Sequence, residues 1–206
     1  MKIYSEYKDY QEYVDIQTET NKAKIDVVWV MQEEIMSLCE YVKDNYSDEI
    51  HNVMCHGARN GTEVRYFKEN LSDNWIVEGN DISETASDYE LYQWDMQNYN
   101  EKWKNKFSIQ YTNSFDHVYK PLEALESFMK QCTHDGSVFI QWTENLNNKP
   151  LASDPLSMNL KELKEMCSNY ASVVNVLDSG MNRVVRKKNT NEVLKRLRIY
   201  FVELKR

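Results

Sequence analysis

The chain is poor in the features that hold a protein outside a reducing, aqueous compartment. None of its apolar runs nears the roughly 18–20 residues needed to span a bilayer. Residues 1–8 carry no apolar stretch of the secretory kind, so a cytoplasmic location is expected. The four cysteines, Cys39, Cys55, Cys132 and Cys167, lie far apart and form no C-x-x-C pair. Buried, reduced thiols are therefore expected rather than disulfides. The four histidines, His51, His56, His117 and His134, do not stand at zinc-ligand spacing from those cysteines, and no metal is indicated. Positive charge is also in deficit. The net charge of −8 argues against a general nucleic-acid binder. Internal repeats and low-complexity linkers are absent, so the 206 residues are expected to form one domain.

What is present is a chain 41% hydrophobic and 28% charged, enough for a real core. Its five glycines are few, and two of them, Gly57 and Gly61, fall in one turn. That turn follows a short apolar strand at 53–55 and opens a helix at 61–71. Further strands are predicted at 75–77, 91–94, 107–111, 137–142, 171–177 and 197–204, seven in all. Helices are predicted at 31–46, 83–88 (capped by Ser83), 121–130 (Pro121 in its first turn) and 159–169 (capped by Asn159). Asp135-Gly136 reads as a turn, and 145–155, with two prolines and several Asn, as a loop. Tyr4, Tyr7, Tyr10 and Tyr13 recur every three residues, as on a helical stripe lying over something. Strands alternating with helices imply a mostly parallel sheet with helices on both faces, and the last two strands an antiparallel edge. Residues 1–46 are expected to be a helical cap segment, 51–180 the core, and 181–206 a basic segment with the edge strand.

In such a sheet, ligands bind beyond the carboxyl ends of the strands. The residues that stand there are His56 to Gly61, Asp81, Asp95, Asn113 to His117 and Trp142 to Glu144. Asp81 follows Gly61 by twenty residues at the close of the second strand, the expected place for a carboxylate that accepts from a ribose.

These segments carry a resemblance. Val53-Met54-Cys55-His56-Gly57-Ala58-Arg59-Asn60-Gly61, Gly79-Asn80-Asp81-Ile82-Ser83, Trp94-Asp95, Tyr111 to His117 with Pro121 and Leu125, and Gly136 to Ile140 resemble class I S-adenosylmethionine-dependent methyltransferases, over about residues 28–180. The Cys-His-Gly-x-x-x-Gly-x-Glu version is similar to small stand-alone members of bacteria and large DNA viruses, often in glycan-building settings. The resemblance implies a Rossmann-like, doubly wound α/β fold. It implies S-adenosyl-L-methionine as cofactor and S-adenosyl-L-homocysteine as product. His56, Gly57, Ala58, Arg59 and Gly61 would pass under the methionine part. Asp81 with Ile82 would hold the ribose, Trp94 with Asp95 the adenine, and Asn113 and Ser114 would line the cleft toward the acceptor. Two departures stand out: Cys55 replaces the usual acid, and Arg59 a usual glycine. Glu63 or a carbonyl is then left to meet the cofactor's amino group. Arg59 suits the cofactor carboxylate, or else lies on the surface of the turn.

Methyl transfer to a hydroxyl needs alignment and a base. Asp116-His117 is the candidate; the alternative is that His117 caps or fills its loop. His56 is a second base or a packed residue. Trp142 stacks on a sugar or packs, and Lys22 meets a carboxylate or lies on an exposed helix face. The expected reaction is O-methylation of a glycan or glycoside hydroxyl. The alternatives are another small molecule, RNA through the basic end, or a non-catalytic cofactor-binding subunit. Residues 181–206 hold nine Lys/Arg against two acids, a net +7 that leaves −15 elsewhere. That end is either an edge-protecting hairpin or the seat of an anionic partner.

Overall fold

The computed structural model describes residues 1–47, 49–143, 149–186 and 193–206. The elements in chain order are β1 (Lys2–Ile3), α1 (Tyr10–Ala23), α2 (Gln32–Asn45), β2 (His51–His56), α3 (Thr62–Asn70), β3 (Trp75–Asp81), β4 (Tyr92–Gln93), β5 (Phe107–Thr112), α4 (Pro121–Gln131), β6 (Cys132–Thr143), β7 (Leu156–Ser157), α5 (Leu160–Cys167), β8 (Val173–Arg186) and β9 (Val193–Lys205). Seven strands form one sheet in the order β4-β3-β2-β5-β6-β9-β8, and β1 pairs with β7 separately. The pairs β2–β3, β2–β5, β3–β4 and β5–β6 are parallel. The antiparallel pairing expected at the C-terminal edge is present: β9 runs antiparallel to both β6 and β8, and β8 is outermost.

Strand side chains alternate between faces, and two cores follow from that alternation. Val138, Ile140, Val202 and Leu204 pack with α4 and α5 residues such as Leu125, Phe128 and Leu163. Phe139 and Phe201, one step out of phase, pack with Ile35 and Leu38 of α2 and Phe67 of α3. Helices therefore cover both faces. No helix among the described residues is long and apolar enough to cross a membrane.

Several sequence readings need adjustment. The third strand shrinks to Tyr92–Gln93, and the helix expected at 83–88 is a 3-10 helix, Glu84–Tyr89, still capped by Ser83. Asp135 and Gly136 lie inside β6 rather than in a free turn. The ladder absorbs them as a bulge, stepping from Phe107 opposite Cys132 to Ile109 opposite Ser137. The tyrosine stripe is only half helical, because α1 begins at Tyr10; Tyr4 and Tyr7 precede it and join an aromatic cluster with Tyr13 and Tyr119. Within residues 1–46, α2 packs into the core through Ile35, Leu38, Cys39 and Val42.

Most of the segment read as a basic connection extends the two strands. Arg183 on β8 is buried and pairs through Nη2 with both oxygens of Glu34 at 2.9 Å, its guanidinium 4.1 Å from the Trp29 ring centre. Arg198 forks onto Asp178 at 2.7 Å, and Lys205 pairs with Glu203. This pairing favours the edge-hairpin reading. Residues 187–192 of that segment lie outside the described residues, as do 144–148 of the predicted loop and thus Glu144.

Candidate functional site

The chain must turn sharply at the end of β2, and Gly57 makes that turn with φ +67°. A Cβ there would meet the Ser114 Cβ at 3.0 Å and the Met96 methyl at 3.1 Å, so only glycine lets the backbone pass. Gly61, at φ +70°, then opens α3. A cavity of about 320 Å³ lies beyond the carboxyl ends of β2, β5 and β6, walled by Gly57, Glu63, Asn113, Ser114, His117 and Trp142 among others. A smaller one, about 30 Å³, lies beyond β3 and β4 against Asp81, Ile82, Trp94 and Asp95. The two share Gly57, Arg59, Ser114 and His117. Residues from five segments thus converge on one sheet edge.

Asp81 closes β3 and is only 2% exposed. Its Oδ1 accepts from the Ser83 N–H at 2.9 Å and from Asn21 Nδ2 at 2.7 Å, and its Oδ2 accepts from the Arg59 N–H at 2.9 Å. Burial pushes its carboxyl above the usual range, while these donors pull it back. Asp95 accepts from the Gln97 N–H and side-chain amide and from the Tyr10 hydroxyl at 2.9 Å, and burial raises it too. Both carboxylates stand where the sequence placed them, but α1 covers them: Asn21 and Tyr10 occupy the space in front of each.

His117 lies on the wall shared by the two cavities. The buried Gln17 amide fixes its tautomer. Gln17 Nε2 donates to the carbonyls of Ala152 and Ser153, which leaves Gln17 Oε1 to accept from His117 Nδ1–H at 3.1 Å. Nε2 is then the unprotonated nitrogen. It lies 3.9 Å from Asp116 Oδ1 and 3.7 Å from Asp154 Oδ1, so a proton taken up there would sit between two carboxylates. Burial raises the Asp116 carboxyl. These three are also the one group with metal-ligand spacing among the described residues, their ligand atoms lying within 4.8 Å of one another. Trp142 is buried against the cavity, and its Nε1–H has no acceptor among the described residues.

Other expected residues fall elsewhere. His56 is corrected from cofactor ligand to core residue. It is 2% exposed, stacks on Phe128 at 4.5 Å, and lies between the Asn80 and Gln110 side-chain amides. As a strand residue it points to a sheet face, not over the edge. Burial pushes its imidazole down to about 4, so it stays neutral and is no base near neutral pH. Ala58 has its methyl in the core, and its N–H donates to the Asn80 carbonyl. Gly61 shapes the turn without lining either cavity. Lys22 is exposed and paired with Glu19 and Glu84; Lys24, two residues later and just past the end of α1, is the lysine at the cavity. Arg59 lines both cavities, but its Nη1 donates to the carbonyls of Lys24 and Val27 and its Nε has no acceptor among the described residues. Sequence reasoning missed Asp154, which no periodicity marks between Pro150 and Pro155, and the Val27–Trp29 wall of the cavity.

No family model matches the chain, and no curated protein matches it in sequence. Solved structures do. The chain is similar to a Burkholderia thailandensis 1,6-didemethyltoxoflavin-N1-methyltransferase, solved with 1,6-didemethyltoxoflavin and S-adenosylhomocysteine. The TM-score is 0.65 at 13% identity, over 100% of this chain and 94% of that one. It is similar to an Aquifex aeolicus SAM-dependent methyltransferase (TM-score 0.58, 16% identity, 88% and 97% covered) and to one from Archaeoglobus fulgidus (0.58, 11%, 96% and 100%). At such identities the likeness speaks for architecture alone: this chain has the fold that those S-adenosylmethionine-dependent methyltransferases share.

Proposed function

We propose that the protein is a class I S-adenosylmethionine-dependent methyltransferase that O-methylates a small acceptor, a sugar hydroxyl of a glycan or glycoside. The observation that carries this reading is the meeting of two cavities at Gly57, Ser114 and His117. One is walled by the carboxylates at the ends of β3 and β4, the other by a histidine whose Nε2 is free to take a proton. The residues fit the cofactor. The Gly57 cradle would be filled by any Cβ, Asp81 and Ile82 suit the ribose, Trp94 and Asp95 the adenine, and Arg59, once released from the Lys24 and Val27 carbonyls, the carboxylate. When bound, S-adenosylmethionine supplies an electrophilic methyl group on a sulfonium.

The chain's own residues do the rest. Gly57, Asn113 and Ser114 set the floor on which acceptor and methyl group are aligned. His117 Nε2 accepts the acceptor's hydroxyl proton, and Asp116 and Asp154 stabilise the imidazolium that results. Trp142 offers part of its aromatic face to the acceptor, as suits a sugar. Entry of the adenosyl group requires Asn21 and Tyr10 to leave Asp81 and Asp95, so α1 acts as the cover.

The test is calorimetric titration with S-adenosylhomocysteine, followed by methyl transfer to a panel of glycosides with amine and carboxylate acceptors as controls. Transfer to glycoside hydroxyls is expected. Tight binding with transfer only to a control acceptor would move the substrate class. Binding without any transfer would indicate a non-catalytic subunit.

A further inference from the structure

Glu63 belongs to the first turn of α3 and is 8% exposed, yet it lines the larger cavity beside the Gly57 turn. Its Oε1 accepts from Asn113 Nδ2 at 2.9 Å. It forms no ion pair among the described residues, and the Arg59 guanidinium is turned toward the carbonyls of Lys24 and Val27. A buried carboxylate without a counter-ion is costly unless something brings it a cation. Strand β2 supplies no alternative acid. Cys55, at its penultimate position, is fully buried and its thiol is pushed far above neutrality, so it carries no charge. Three carboxylates line the cavity, Glu63, Asp116 and Asp154, and Glu63 is the one on the helix that the glycine turn opens.

We infer that Glu63, steadied by Asn113, is an ammonium-binding site, and that it holds the α-amino group of the cofactor's methionine portion. The inference rests on the methyltransferase reading and places the missing acid one element later, on the helix after the turn instead of the strand before it. Burial raises the Glu63 carboxyl to about 7, so arrival of an ammonium group should ionise it and release a proton. The groups around it act on that proton in known directions. Arg59 and Asn113 favour the carboxylate and Asp81 opposes it, while neutral Cys55 and Tyr111 leave it unchanged.

The experiment titrates the wild type and Glu63→Gln with two probes, S-adenosylhomocysteine and 5′-methylthioadenosine, which has the same nucleoside but no amino-acid tail. Glu63→Gln should weaken S-adenosylhomocysteine binding about 10- to 100-fold, the worth of a charge-assisted contact, and change methylthioadenosine binding by less than about twofold. Titrations in buffers of different ionisation heat should show proton release on S-adenosylhomocysteine binding to the wild type and none to the variant. Unchanged S-adenosylhomocysteine affinity, equal weakening of both probes, or identical proton release would overturn the assignment. A wild type that binds neither probe would overturn the adenosyl reading itself, and the assignment with it.

Discussion

Replacing Glu63 by Gln keeps the shape of the side chain and the oxygen that accepts from Asn113, and removes only the charge. The folded-state carboxyl stands at about 7 against an ordinary 4.5. A raised value means that the group's contribution to stability is fully present below the ordinary value and is lost as pH climbs through the folded one. At about 1.4 kcal/mol per tenfold, that loss is about 3 kcal/mol once pH exceeds 7. Wild type and Glu63→Gln should thus unfold at similar urea concentrations near pH 4.5. The variant should be more stable by about 3 kcal/mol in mildly alkaline buffer, with the gap opening linearly between. Burial also raises Asp81, Asp95 and Asp116, so both proteins lose stability in the same direction, and the difference between the curves isolates Glu63. Urea unfolding across that pH range, with and without saturating S-adenosylhomocysteine, reads it out. Curves separated by a constant amount would mean that Glu63 ionises normally and has a cation the geometry does not provide, and the reasoning would fail.

Four further outcomes are expected. Asp81→Ala should lower S-adenosylhomocysteine affinity by about 1–3 kcal/mol in calorimetry, through lost charge-assisted hydrogen bonds; unchanged affinity would remove it from the ribose site. His117→Ala should cut turnover about a hundredfold or more while S-adenosylhomocysteine affinity holds, and normal turnover would move the base elsewhere. Asn21→Ala frees one Asp81 oxygen from its 2.7 Å contact and loosens the cover, so stopped-flow association with S-adenosylhomocysteine should quicken several-fold; a slower rate would make Asn21 a ligand instead of a cover. Arg183→Met leaves Glu34 buried at 0% exposure without its cation and should cost about 3–5 kcal/mol by urea unfolding; a loss below about 1 kcal/mol would contradict the pairing.

Much of the fold was legible because it is local. The alternation of Val138, Phe139 and Ile140 spells a strand with two buried faces, and Asn159 and Pro121 mark helix starts by their own chemistry. The turn at Gly57 and the place of Asp81 at a strand end were legible for the same reason. A glycine after an apolar strand must turn, and a polar residue closing a strand must sit at the sheet's edge. His56 misled because it adjoins that turn but still belongs to the ladder, which aims it at Phe128.

What the sequence by itself determined is the order of strands and helices and the edge on which the polar residues collect, since both follow from periodicity and turn chemistry over a few residues. Tertiary structure alone decided which distant groups answer each other. Asn21 meets Asp81, Tyr10 meets Asp95, Asp154 reaches His117, and Arg183 is drawn inward to Glu34. Those pairings join parts of the chain far apart in sequence. Nothing in the local pattern selects one such pairing over another; the packing of α1 and β8 against the sheet does.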